Sequence, residues 1–378
     1  MSTISPVIVG HRGFKGQHPE NTLVGFKAAY DVGATVLETD LWLTKDNRIV
    51  ISHDGNTKRV FVDQDGNETD YTITETDFDT LKELRTLDGG YPLLSFQDVL
   101  HFYKDYVDNN EKEQVLKLQL DIKRFNPAKI TKYIIEDLLI IEDDLNWWIN
   151  RIQFGIWDLN FLKYLNQDDF FQQKFKAVDN GSMFDIFHIS TNWRDSIFYI
   201  NYNYYLDGVT DNDRIKFKLS GVSLIYLASW SVGFLTKFVP LLKAQDLKLY
   251  SWTINHRLQY DYLTKVGKIA ELSEYGVISD FPDLMLSFKH QDQLPKEEEV
   301  EETTPLVGSI TDLLSDLTFK QRLSYHIFSQ FNYWAGDKRL TEEEKQYELP
   351  VDENKIRHIQ INSYAVWLFH ICQKFGIF

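Results

Sequence analysis

The chain has 378 residues, of which 43% are hydrophobic, and this is long enough for one α/β barrel of roughly 250 residues with an appended segment. Its 40 basic and 56 acidic side chains give a formal net charge of −16, which repels polyphosphate and argues against a nucleic-acid partner. The same charge repels anionic membranes. Any binding to a lipid surface therefore has to come from apolar and aromatic insertion, for which the aromatic fraction of 15% provides material.

Cysteine content and the N-terminal residues indicate the compartment. Cys372 is the only cysteine, which excludes a disulfide framework and a thiolate metal cluster and favours a reducing, intracellular environment. Residues 1–10 contain no charged segment and only a four-residue apolar run, which predicts a first strand rather than a signal peptide.

Short β-rich runs alternate with longer helical patterns from Pro6 to about His290, which is typical of repeated βα units. We therefore predict the α/β class and a TIM (β/α)8 barrel over residues 4–290. Eight barrel strands are expected at Val7–His11, Val36–Leu41, Val115–Lys123, Arg151–Trp157, Phe184–Ile189, Leu219–Ile225, Leu247–Ile254 and Gly276–Ser279.

An additional strand is expected at Arg48–Asp54. It follows Leu43–Asn47, whose Asp-Asn pair suits a hairpin turn. This would insert a short β-ribbon at the mouth of the barrel.

The composition changes after the barrel. Residues 291–305 include a Glu-rich run that cannot bury enough apolar surface to fold alone, and we interpret them as an acidic linker. Residues 306–378 form a C-terminal helical, amphipathic tail, which we expect to associate with membranes. One apolar stripe at helical spacing carries this interpretation: Phe319, Leu323, Ile327, Phe331 and Trp334.

The last segment, Ile356–Phe378, is rich in aromatic residues but interrupted by polar ones. It fits a position within a membrane interface better than a span of about 20 apolar residues. The alternative is that both tail helices pack back onto the barrel.

Acidic residues lie inside two predicted strands. Glu38 and Asp40 are two residues apart, so both carboxylates point to one face, and Asp121 and Lys123 repeat this spacing. Three carboxylates at the active end of a barrel can hold one hard divalent cation, Mg²⁺ or Ca²⁺. The alternative is a buried salt bridge between Lys123 and one of the acids.

Two histidines follow predicted strands, His11 after the first and His53 in the ribbon. Imidazoles beside carboxylates at strand ends indicate acid–base chemistry. Arg12 offers a bidentate fork for phosphate oxygens, although it could also form an ordinary surface ion pair. Asn21 is expected to cap the first helix, with Glu20 near its start, which is compatible with a role at the site.

Several ordered motifs now form a specific pattern that resembles the glycerophosphodiester phosphodiesterase family over roughly residues 6–290. The motifs are His11-Arg12-Gly13, Pro19-Glu20-Asn21-Thr22, Glu38-x-Asp40, His53-Asp54, Trp252-Thr253-Ile254-Asn255 and Gly276-Val277-Ile278-Ser279-Asp280. Within that family the chain is most similar to the fungal phosphatidylglycerol phospholipase C branch, through Leu120-Asp121-Ile122-Lys123, Ala228-Ser229-Trp230 and Leu249-Tyr250-Ser251-Trp252. The broader family usually has Glu where this chain has Asp121.

The resemblance implies a metal-dependent phosphodiesterase that converts phosphatidylglycerol to diacylglycerol and glycerol 3-phosphate. His11 and His53 are then catalytic, and Glu38, Asp40 and Asp121 bind the metal. The substrate-binding residues are Arg12, Lys123 and Trp252.

Two other functions stay open at this point. One is a phosphodiesterase for soluble deacylated glycerophosphodiesters, and the other is a non-catalytic lipid-binding or tethering barrel. The expected partners are a glycerophospholipid substrate and a membrane surface, with no nucleic acid. The expected location is intracellular and peripheral, on the cytosolic face of membranes, with the endoplasmic reticulum, lipid droplets and the mitochondrial surface as candidates.

Overall fold

The computed structural model describes residues 5–110, 114–210, 214–293, 317–334, 342, 346, 347 and 349–355. Eight parallel strands close into a barrel, because the first strand pairs with both the second and the last. The predicted TIM barrel is confirmed. Its strands, together with the three shorter ones outside the barrel, are β1 (Val7–Gly10), β2 (Val36–Leu43), β3 (Ile49–Ile51), β4 (Phe61–Val62), β5 (Arg85–Thr86), β6 (Lys117–Ile122), β7 (Ile152–Ile156), β8 (Asp185–Ser190), β9 (Gly221–Ile225), β10 (Lys248–Trp252) and β11 (Tyr275–Ser279).

Helices follow most barrel strands and cover the outside of the barrel. They are α1 (Leu23–Val32), α2 (Phe78–Leu81), α3 (Phe96–Asn109), α4 (Ile130–Ile141), α5 (Leu145–Ile149), α6 (Leu159–Gln167), α7 (Asp169–Lys174), α8 (Trp193–Gly208), α9 (Val239–Ala244), α10 (Arg257–Ile269), α11 (Pro282–Gln293) and α12 (Phe319–Trp334).

The two faces of the barrel strands have separate partners. Leu37 and Leu41 of β2 belong to the large core between sheet and helices, whereas Val36 packs with Phe187 and Tyr250 in a smaller interior cluster. Glu38 and Asp40 share the parity of Val36, so they point into the barrel. The alternation that places one set of side chains under the helices thus directs the carboxylates to the interior.

The predicted ribbon is also confirmed. β3 pairs antiparallel with the end of β2, with Leu41 opposite Ile51 and Leu43 opposite Ile49. The turn between them places Asn47 at a φ of 62°, a left-handed conformation that asparagine tolerates.

The start of α1 differs from the prediction. Thr22, not Asn21, is its N-cap, and the Thr22 hydroxyl accepts a hydrogen bond from the backbone N–H of Gly25 at 3.3 Å. Asn21 has a φ of 58° and its amide is bonded to acidic and hydroxyl groups of β2 instead. The cap prediction for Asn21 is therefore wrong, because a second polar residue at the same helix start takes that role.

The predicted helix in the tail is present as α12. It packs through Tyr325 onto residues that follow β9, and the Ser329 hydroxyl donates to the Trp230 carbonyl at 2.9 Å. The opposite face carries the predicted apolar stripe, whose described members are exposed: Phe319 by 81%, and Leu323 and Ile327 by 52% each. The helix thus contacts the barrel, while the described side chains of its apolar stripe are exposed.

A second part of the tail crosses the outside of the barrel. Gln167, the last residue of α6, donates to the carbonyls of Tyr347 and Leu349, and the backbone N–H of Lys129, just before α4, donates to the Glu353 carbonyl at 3.1 Å. This segment therefore runs from the end of α6 toward the end of the barrel where α4 begins. The segment Ile356–Phe378 lies outside the described residues, and the division at residues 290 and 305 stays a prediction.

Among the residues that the structure describes, every helix is too short or too polar to cross a lipid bilayer.

Candidate active site

All eight residues singled out from the sequence line one cavity of about 120 Å³ at the carboxyl end of the barrel. This is the end at which TIM barrels carry their sites, because the loops that follow the strands converge there. The eight residues are His11, Arg12, Glu38, Asp40, His53, Asp121, Lys123 and Trp252.

Three buried carboxylates form the centre of the site. Glu38 and Asp40 come from β2 and Asp121 from the neighbouring β6, and one oxygen of each lies within 4.8 Å of the others. The register of the two strands sets this proximity, since it places Asp40 directly opposite Asp121.

Lys123 forms the salt bridge that the alternative interpretation predicted. Its Nζ atom lies 2.5 Å from Asp40 Oδ1 and 2.6 Å from Asp121 Oδ2. The carboxylate cluster and the buried salt bridge are thus both present in the same site.

The carboxylates differ in electrostatic environment. Burial opposes ionisation of Asp40, but Lys123 and Arg12 outweigh it and hold the pKa of that carboxyl well below its usual value. For Glu38, burial and then the repulsion of Asp40 and Asp121 raise the pKa well above its usual value. The positive side chains of the cluster therefore do not compensate all three negative charges.

This imbalance fits a divalent cation. Three buried oxygen donors lie within 4.8 Å of one another, and Arg12 and Lys123 provide two positive charges beside three carboxyl groups. Oxygen-only donor sets favour Mg²⁺ or Ca²⁺ over softer metals. Glu38, Asp40 and Asp121 are therefore the residues that would hold the ion.

Arg12 is a buried member of this network rather than a surface ion pair. Its backbone N–H donates to Glu38 Oε2 at 2.8 Å, and its guanidinium lies 3.2 Å from Glu20 and 3.4 Å from Asp40. The following Gly13 has a φ of 86°, and a Cβ there would lie 2.8 Å from the backbone of Gly25. Only glycine allows this close approach of the turn to α1.

Asn21 also contributes to the site. Its Nδ2 donates to Asp40 Oδ2 at 2.8 Å, and its Oδ1 accepts from the Thr39 hydroxyl at 3.0 Å. This amide fixes the metal-type carboxylate of Asp40 in one orientation.

His11 has a carboxylate partner that directly follows the last barrel strand. Its Nδ1 lies 2.6 Å from Asp280 Oδ1, and Asn255 Nδ2 donates to the other oxygen of Asp280 at 2.9 Å. Burial and then the charge of Arg12 lower the pKa of His11 to about 4, even though Asp280 opposes this shift. His11 is therefore neutral near pH 7, and its Nε2 is free of a proton when Nδ1 donates to Asp280.

His53 has a different, more exposed partner network. Its Nδ1 lies 2.7 Å from Asp54 Oδ1, and Arg59 Nε donates to the other oxygen of Asp54 at 2.5 Å. Arg59 also donates to both oxygens of Glu20, which pairs with Arg12. The side chain of His53 is 38% exposed against 12% for His11, so the two imidazoles occupy unlike environments.

Two tryptophans form one wall of the cavity. Trp252 donates its indole N–H to the Ser223 carbonyl at 3.1 Å, and Trp157 donates its indole N–H to Asp121 Oδ1 at 2.7 Å. The rings meet edge to face with centroids 5.9 Å apart.

The sequence interpretation missed the roles of four residues in this network: Asp280, Asn255, Trp157 and Arg59. The first three lie at or just after the ends of predicted strands, so the signal that identified His11 was available for them as well. Arg59 lies beyond the ribbon, where no periodic pattern indicates its direction. Its contact with Glu20 joins residues 39 positions apart.

A model of the glycerophosphoryl diester phosphodiesterase family matches residues 11–284. YhdW of Bacillus subtilis, whose name assigns it provisionally to the glycerophosphodiester phosphodiesterases, is 41% identical over 284 residues, 74% of this chain and 96% of that protein. The glycerophosphodiester phosphodiesterase of Bacillus altitudinis is 44% identical over 68 residues, 18% of this chain but only 27% of that protein.

A crystal structure of a glycerophosphodiester phosphodiesterase from Parabacteroides distasonis superimposes with a TM-score of 0.55. The superposition covers 78% of this chain and 100% of the crystal structure's chain, at 13% sequence identity. This likeness shows that the two proteins share a fold.

Proposed function

Because the chain belongs to the glycerophosphoryl diester phosphodiesterase family and is thus a phosphoric diester hydrolase, we propose that it cleaves phosphatidylglycerol at a membrane surface. The products would be diacylglycerol and glycerol 3-phosphate. The observation that carries the chemistry is the pair of unlike imidazoles that line one cavity together with three buried carboxylates.

His11 is the base of the first step. Its lowered pKa keeps Nε2 able to accept a proton at neutral pH, and Asp280 stabilises the imidazolium that forms. The proton comes from the 2-hydroxyl of the glycerol headgroup, whose oxygen attacks the neighbouring phosphorus at high effective concentration.

His53 is the acid of the first step. It enters protonated and gives this proton to the diacylglycerol oxygen as the phosphorus–oxygen bond to the lipid breaks. A five-membered cyclic phosphate remains. In the second step His53 takes a proton from water, the water oxygen attacks phosphorus, and His11 returns its proton to the departing 2-oxygen. Both histidines then regain their starting states.

The remaining residues provide charge and position. A divalent ion held by Glu38, Asp40 and Asp121 would supply Lewis-acid stabilisation of the charge on the phosphoryl oxygens. Arg12 and Lys123 add positive charge at the same place, and Trp252 forms a wall for the headgroup.

The membrane part of the proposal rests on α12. This helix is anchored beside Trp230, which follows the carboxyl end of β9 and therefore lies at the end of the barrel that carries the site. Its exposed stripe of Phe319, Leu323 and Ile327 offers apolar side chains for insertion. Residues 319–334 also contain Lys320 and Arg322 but no carboxylate, in a chain of net charge −16. An apolar stripe beside cations suits an anionic lipid surface.

The test compares one headgroup in two physical forms, phosphatidylglycerol vesicles and soluble glycerophosphoglycerol, with Mg²⁺, Ca²⁺ or chelator. The wild-type protein should release diacylglycerol from vesicles in a chelator-sensitive reaction. A variant with Phe319, Leu323 and Ile327 all replaced by Gln should lose vesicle turnover by about tenfold or more. It should keep soluble turnover, since all three side chains are at least half exposed.

The control replaces Lys27, an exposed lysine of α1, by Gln, and should behave like the wild type on both substrates. Turnover confined to the soluble diester would favour the second candidate function, a phosphodiesterase for deacylated glycerophosphodiesters, which the same site geometry serves equally. If neither diester is hydrolysed, both candidate functions are contradicted.

A further inference from the structure

We propose that Trp157 is a positioning residue for the metal site, in which its indole N–H holds the carboxylate of Asp121 in the orientation that binds the ion. Its Nε1 lies 2.7 Å from Asp121 Oδ1, while Lys123 takes the other oxygen of Asp121 at 2.6 Å. Both oxygens of this carboxylate thus have a donor. The inference rests on the metal site of the proposed function but not on its substrate.

The local sequence explains how the indole reaches this carboxylate. Gly155 lies directly opposite Asp121 in the register of β7 and β6. It points into the barrel, where a Cβ would lie 2.6 Å from the tip of Ile189. The next inward position is Trp157, two residues later. The missing side chain at 155 leaves room for Ile189, and the indole of Trp157 reaches Asp121 from this next inward position.

A neutral donor can orient this carboxylate without competing with a metal ion, whereas a cation competes with the ion. Lys123 orients Asp121 but also competes with a metal ion for its negative charge, since it is itself positive. The indole N–H restricts rotation of the carboxylate without adding a unit charge. The indole therefore fixes the orientation of Asp121 without competing with the ion, which is how outer groups raise the affinity of a metal ligand.

Trp252 provides a matched comparison in the same cavity. Its ring contacts the ring of Trp157 edge to face, and its indole N–H is also engaged, but with the backbone carbonyl of Ser223 instead of a carboxylate. Replacement of either tryptophan by Phe removes one indole N–H and a similar ring volume from one wall. Only Trp157→Phe removes a donor to a metal-type ligand.

The experiment is calorimetric titration of metal-free protein with Mg²⁺ and with Ca²⁺, in the absence of substrate. Trp157→Phe should weaken the affinity about 10- to 100-fold, the range typical for loss of such an outer hydrogen bond. Trp252→Phe should keep the wild-type affinity within about threefold. Thermal unfolding of each metal-free variant checks that the barrel is intact.

A second readout separates positioning from packing. The metal concentration that half-activates Trp157→Phe should rise by the same factor as its dissociation constant, while kcat at saturating metal recovers to near the wild-type value. Equal affinity in Trp157→Phe and the wild type would overturn the proposal, and so would equal weakening in both tryptophan variants. A wild-type protein that binds neither ion would overturn it too. Metal binding without turnover on phosphatidylglycerol would contradict only the substrate assignment.

Discussion

The Nζ atom of Lys123 lies 2.5 Å from Oδ1 of Asp40, across the boundary between β6 and β2. The same ammonium group contacts Asp121, so it separates two carboxylates that would otherwise repel one another in a buried site. Loss of one partner from a buried ion pair costs about 3–5 kcal/mol, because the remaining charges lack compensation.

Lys123→Met should therefore destabilise the metal-free protein by several kcal/mol. Mg²⁺ or Ca²⁺ should restore part of this stability, because a divalent ion supplies the missing positive charge. The measurement is the unfolding temperature with chelator and with each metal, and the metal-induced rise should be larger in the variant than in the wild type.

The control is Lys27→Met, which removes a lysine from an exposed pair with Asp31. Exposed pairs contribute little, so its unfolding temperature should stay close to that of the wild type under all conditions. An equal metal-induced rise in Lys123→Met and the wild type would show that the ion does not take over the charge balance of this cluster.

A change of the substrate's leaving group distinguishes the roles of the two histidines. Substitution of either His11 or His53 by Ala should lower kcat by a factor on the order of 10²–10⁴ on a natural diester. A substrate with a p-nitrophenolate leaving group needs no proton from an acid. It should restore most of the rate to His53→Ala but not to His11→Ala. Recovery in both variants, or in His11→Ala alone, would contradict the assigned roles.

Asp280 is expected to act through His11. Asp280→Asn removes the negative charge that stabilises the imidazolium but keeps the size of the side chain. We expect kcat to fall by a factor on the order of 10²–10⁴, with little change in metal affinity. Lys15→Met is the control, since Lys15 lies 3.5 Å from Asp280 and its removal leaves the contact with His11 in place. Wild-type kcat in Asp280→Asn would remove this aspartate from the mechanism.

The strands of the barrel were predictable because their signal is local. Each of the eight predicted strands overlaps an observed one, and its ends differ by no more than two residues. Alternation within β2 also predicted that Glu38 and Asp40 share a face. The prediction for Asn21 was wrong because the choice between two adjacent capping residues depends on Asp40, 19 positions away.

The partners of the site residues were less accessible to sequence reasoning. Trp157 reads as one more aromatic residue at a strand end, and its contact with Asp121 depends on the register between β6 and β7. Register follows from packing of the closed barrel rather than from any short motif.

A buried histidine outside the site gives a pH-dependent stability. His188 lies in β8, and its Nδ1 atom shares a hydrogen bond of 2.8 Å with the Ser196 hydroxyl oxygen. Its ring stacks on the ring of Tyr199, with the centroids 3.9 Å apart. Burial and then the charge of Arg124 lower its pKa to about 3 from the usual 6.5. Between these two values the unfolded chain binds one more proton than the folded one, so the free energy of unfolding decreases as the pH falls.

The variant His188→Gln has no imidazole at this position, so it does not take up this proton on unfolding. Its free energy of unfolding should be below that of the wild type at pH 7, and the difference should shrink by about 2 kcal/mol at pH 5. Urea denaturation of both proteins at several pH values measures this. A difference that is constant with pH would show that His188 does not titrate on unfolding in this range.

Closure of the barrel by its first and last strands also determines when during synthesis the protein becomes active. His11 leaves the ribosome 269 residues before its partner Asp280. Until β11 has emerged and paired with β1, the nascent chain holds the carboxylates of β2 without a closed interior. The site is therefore complete only after the whole barrel has been synthesised, because His11 meets its carboxylate partner only then.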